Sequence, residues 1–62
     1  MEDSIDAMTR DQLACELKHT LVTYGEWERV QKAVREARAA GSIEELRAGY
    51  RNVLEVVQNL DA

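Results

Sequence analysis

Gly41-Ser42-Ile43-Glu44-Glu45-Leu46 holds the end of one helix and the start of another, and its reading decides the fold. Gly41 supplies a permissive residue for closing the preceding helix, and Ser42 opens the next one at once. The Ser42 hydroxyl can accept a bond from an otherwise orphaned amide three residues on, while Glu45 reaches back. Downstream, Ile43, Leu46, Tyr50, Val53, Val57 and Leu60 recur in steps of three and four, and Leu54 widens the stripe. Arg47, Arg51, Glu55 and Gln58 fall on the other side. That spacing predicts an amphipathic helix over about 43–60.

Two further starts of the same Ser/Thr-x-x-Glu/Gln form lie upstream, at Thr9…Gln12 and Thr23…Glu26. At ~100° per residue, Leu13, Leu17, Leu21 and Tyr24 share one face. The same count places Trp27, Val30, Val34 and Ala37 on a face turned by roughly a third of a revolution. The slip falls at Thr23-Tyr24-Gly25-Glu26, where a glycine and a capping pattern coincide, so a break is expected there. The predicted fold is all-α: a small three-helix bundle with helices over about 10–23, 26–40 and 43–60, completed by dimerisation. The competing architecture is a long helical hairpin, unbroken through Gly25, whose long arm a second copy would cover. No period-two run occurs, so no strand is expected.

At 62 residues, the chain has room for one domain, placed at 9–62. Residues 1–8 carry Glu2, Asp3 and Asp6 against no basic residue and are expected to be a flexible acidic lead-in. With 45% apolar residues, three Gly and no Pro, the chain fits neither a disordered nor a collagen-like protein. A single Cys rules out an internal disulfide framework. No apolar run approaches the ~18 residues of a membrane span, and the acidic start is unlike a signal peptide. No membrane contact and a cytoplasmic location are therefore expected. Chains below ~70–80 residues rarely build a core worth more than a few kcal/mol, which favours self-association.

Asp11, Cys15 and His19, at successive i, i+4 positions, are the only candidates for a metal site. They could hold one side of an ion, with a two-fold partner supplying the other. Cys15 and His19 could also be a nucleophile and its base, but no third orienting group is identifiable. Glu44 and Glu45 complement a helix dipole, which accounts for them without catalysis. Gly25, Gly41 and Gly49 are isolated, so no phosphate-binding glycine pattern exists. A pocket of several hundred cubic ångströms is hard to enclose in so small a bundle. Neither enzymatic activity nor a cofactor is expected.

Six of the eight basic residues lie between positions 29 and 51, including Arg35, Arg38, Arg47 and Arg51. These four are the candidate phosphate contacts if the helix–Gly41–helix outline is a DNA-binding helix-turn-helix, the competing function of a dimeric transcriptional regulator. Against it stand a net charge of −4 and two carboxylates, Glu44 and Glu45, in the leading turn of the would-be recognition helix. Nucleic acid is thus the less favoured partner, and Arg29, Lys32, Arg35 and Arg38 read more simply as a solvated, salt-bridged face.

The apolar surplus says more. Cys15 and Val22 lie opposite the Leu13/Leu17/Leu21 stripe, and the last helix is apolar over more than one neighbour needs. The candidate interface comprises Cys15, Val22, Trp27, Tyr50, Val53, Leu54, Val56, Val57 and Leu60. For Trp27, filling the core is the simpler role. The function these features predict is a small non-enzymatic regulator or inhibitor that binds another protein through apolar helix faces, as a homodimer. A phage- or plasmid-encoded inhibitor fits this size and acidity.

Overall fold

A computed structural model describes residues 4–60 of the chain, and for Ser4 the backbone only. Four helices follow one another: α1 (Ser4–Ala7), α2 (Arg10–Tyr24), α3 (Glu28–Arg38) and α4 (Ile43–Gln58). There is no strand among the described residues. The three predicted helices are present, preceded by one extra helical turn. The unbroken hairpin is excluded, because the chain leaves helical geometry between Tyr24 and Glu28.

The helices α2, α3 and α4 bury most of the face their spacing marks out, except at Tyr24 and Trp27, which are exposed. Leu13 and Leu17 of α2 meet Val30, Ala33, Val34 and Ala37 of α3 and Leu46, Tyr50 and Val53 of α4 in one core. Thr20 is buried too, and its hydroxyl donates to the Glu16 carbonyl at 2.9 Å, so its polar group is satisfied. The α3–α4 pairing is the most extensive, and α2 packs across both.

The helix ends show which sequence signals act. At the start of α2 the capping box is complete: Gln12 N–H donates to Thr9 Oγ1 at 3.2 Å, and Thr9 N–H donates to Gln12 Oε1 at 2.8 Å. At α4, Glu45 N–H donates to Ser42 Oγ, while Glu45 Oε1 accepts from the N–H of Gly41 and not of Ser42. The expected Thr23…Glu26 cap does not form. Thr23 lies inside the last turn of α2, and α3 begins behind Trp27, which offers no side-chain cap. Gly41 likewise has no positive φ. Instead α3 closes on Ala39, whose N–H is shared by the carbonyls of Arg35 and Glu36 at 3.2 Å each.

The acidic lead-in differs from expectation over residues 4–8. Ile5 and Met8 pack against the core, so burial of apolar surface orders this stretch. Two arginines of α4 hold it: Arg51 pairs with Asp6, and Arg47 donates to the Met8 carbonyl at 3.2 Å. Positions 1–3 of that expected lead-in lie outside the described residues.

Candidate functional site

Among the described residues, the exposed large apolar side chains are Val22 on the back of α2, and Tyr24 and Trp27 at the corner between α2 and α3. Val22 is 78% exposed, Trp27 41% and Tyr24 37%. The turn is tight: Trp27 N–H donates to the Tyr24 carbonyl at 3.0 Å, and Val30 N–H donates to Trp27 at the same distance. Gly25 makes this path possible in its right-handed conformation, since a Cβ there would fall 2.2 Å from the Leu21 carbonyl oxygen. The Gln31 amide of α3 donates to the Gly25 carbonyl and ties the two helices across the turn. It thereby satisfies an acceptor that the end of α2 leaves open.

Beside this corner runs a groove of about 480 Å³, lined by Leu21, Gly25, Gln31, Val34, Arg35 and Arg38. Its apolar walls come from Leu21 and Val34, and its charge from the last turn of α3. A second hollow of about 400 Å³ shares Gln31 and Arg35 with it and adds Glu28, Arg29 and Lys32. Of the four cations read from the sequence as a solvated spiral, Arg35 and Arg38 line the groove, while Arg29 and Lys32 line the neighbouring hollow together with Arg35 and the carboxylate Glu28. Among the described residues neither Arg35 nor Arg38 has an ion-pair partner. Both hollows are open furrows on the surface of the bundle, not pockets enclosed within it.

The predicted interface residues divide. Cys15 and Val22 are exposed on the back of α2, and Trp27 stands at the corner, not in the core. Leu54, Val56, Val57 and Leu60 are half-buried and lean on the core. Tyr50 and Val53 are a correction: both are buried against α2 and α3, so neither can meet another molecule in the folded state. Burial raises the pKa of the Tyr50 hydroxyl above 10.0, and the nearby Glu16 carboxylate adds to the effect.

Asp11, Cys15 and His19 are all exposed on α2. No group of three or more His, Cys, Asp or Glu among the described residues is placed to hold a metal ion. The physical reason is the helix period. This stripe lies opposite Leu13 and Leu17, the face that the other helices cover, so no second element approaches it. The arginines proposed for DNA contact divide as well, with Arg35 and Arg38 on the furrow and Arg47 and Arg51 engaged by the N-terminal turn.

The sequence reading placed Tyr24 on the core face and passed over Leu21, Gly25, Gln31 and Val34 as lining residues. The phase slip at Gly25 was the signal that a corner, and with it a furrow, would form there. No described helix is long and apolar enough to cross a membrane. Compared with known families, curated proteins and solved structures, the chain matches none.

Proposed function

We propose that this protein acts without catalysis, as a regulator or inhibitor that binds another protein through exposed apolar helix surface, and that it does so as a homodimer. The observation that carries this reading is the exposure of Val22 on the back of α2 and of Tyr24 and Trp27 at the turn into α3. Exposed aromatic residues such as Tyr24 and Trp27 are the kind of anchor from which protein interfaces draw much of their affinity. Support for the dimer is the modest core of nine buried apolar residues, together with the half-exposed row Leu54, Val56, Val57 and Leu60.

The test captures partners from the native host with the wild-type chain and with Val22→Asp, and measures solution mass by light scattering. Binding through this surface predicts a specific partner that the variant fails to retain, and a mass twice that of one chain. A partner retained equally by the variant removes Val22 from the interface. A fully folded monomer at micromolar concentration removes the dimer. Salt-sensitive binding of duplex DNA that depends on Arg35 and Arg38 would favour the transcriptional regulator instead.

A further inference from the structure

We infer that the furrow along α3 receives an acidic amphipathic helix of the partner protein; this rests on the protein-binding reading proposed above. Charge complementarity carries the inference. The chain has a net charge of −4, yet Arg35 and Arg38 line this furrow with no carboxylate, and Arg29 and Lys32 line the adjoining hollow against one, Glu28. Half of the basic residues of an acidic protein thus line this furrow or the hollow next to it. Arg35 and Arg38 have no ion-pair partner among the described residues, so they are available to an incoming carboxylate.

The spacing selects the kind of partner. Arg35 and Arg38, three residues apart on α3, are neighbours on its surface, their Cβ atoms about 5–6 Å apart. A second helix laid alongside offers carboxylates at the same interval from positions three or four apart. The half-buried Leu21, with the buried Val34 beneath, gives the same furrow apolar surface for one aliphatic side chain. A helix with a leucine stripe flanked by Glu pairs meets all three features at once. Phosphate chains would use the cations and leave the apolar walls unmatched.

The test titrates the intact protein with a capped helical peptide of about 15 residues, long enough to hold helix. One version carries a leucine stripe flanked by Glu pairs, a second has Lys for each Glu, and a single-stranded oligonucleotide is the third probe. Amide shifts report where each binds. The Glu peptide is expected to bind saturably, to shift resonances across residues 21–38, and to bind about tenfold more weakly to the Arg35→Gln/Arg38→Gln protein. Both arginines are exposed, and an unchanged circular dichroism spectrum shows that the double variant is folded. The inference is overturned if the Glu peptide does not bind, if the Lys peptide binds as well, or if the double variant binds equally. It is also overturned if the oligonucleotide alone binds, which would assign the furrow to phosphates. Should the peptide fail while capture of the host partner still depends on Val22, the furrow assignment falls and the protein-binding reading stands.

Discussion

Gly49 of α4 faces Ala37 of α3 so closely that a Cβ on the glycine would lie 2.8 Å from both Cα and Cβ of the alanine. Two small residues therefore set how near the two best-packed helices approach. In an isolated helix Gly49→Ala would gain about 1 kcal/mol of helix propensity. In the bundle the added methyl must push the helices apart, an overpacking cost of about 1–3 kcal/mol. Gly49→Ala is expected to lower stability in urea titration, whereas Gly41→Ala, where a Cβ meets only the flexible Glu45 carboxylate, changes it little. A Gly49→Ala protein more stable than wild type would mean that the helices part freely.

The caps separate sequence signals that act from one that does not. Thr9→Ala and Ser42→Ala each remove a hydroxyl that accepts from a helix amide, and each is expected to cost about 1 kcal/mol. Thr23→Ala is expected to change stability by less than about 0.5 kcal/mol, because Thr23 lies exposed within α2 and caps nothing. Thermal unfolding of the three variants side by side decides this. A large loss at Thr23 would show that the Thr23…Glu26 cap forms after all.

Tyr50 makes stability sensitive to alkali. Its folded-state pKa is raised by burial and by Glu16, so the neutral phenol is favoured in the native bundle. Above pH 10.0 the unfolded chain loses this proton while the folded one keeps it. Stability therefore holds below that pH and falls as pH climbs towards the raised value. Tyr50→Phe should flatten that part of the profile, measured as urea midpoint between pH 8 and 11. An identical alkaline decline in the Phe variant would assign it to other groups.

The Asp6–Arg51 pair holds the N-terminal turn only lightly. Their side chains remain 60% and 47% exposed, so solvent screens the pair. Asp6→Asn is expected to change stability by less than about 1 kcal/mol, with the difference vanishing near 1 M salt. Leu17→Ala, at a fully buried position, should cost about 2–5 kcal/mol by the same assay. If the Asp6 change approached the Leu17 change, the turn would be an integral part of the core.

Local patterns were legible where local chemistry decides. The Thr9 box, the Ser42 cap and the apolar stripe of α4 were read from spacing alone, because neighbouring residues along the chain supply both partners of each interaction. Thr23 misled because its pattern is the same, yet extending α2 by another turn uses its backbone in helix. Ile5 and Met8 sit among acidic residues, so their packing shows only when α4 is folded beside them. Tyr50 and Val53 looked like interface anchors and are core, since how many neighbours a helix has cannot be counted from its own stripe.

By itself, the sequence determined that the chain is helical, where its three main helices lie, and that the phase of its apolar face slips at Gly25. Helical period and capping are interactions between residues a few positions apart. Only the tertiary structure decided that Gly49 abuts Ala37, that Trp27 stands outside the core, and that Arg35 and Arg38 line a furrow against Leu21. Those facts depend on how helices distant in sequence approach one another, and that approach follows from side-chain volumes meeting across a shared core.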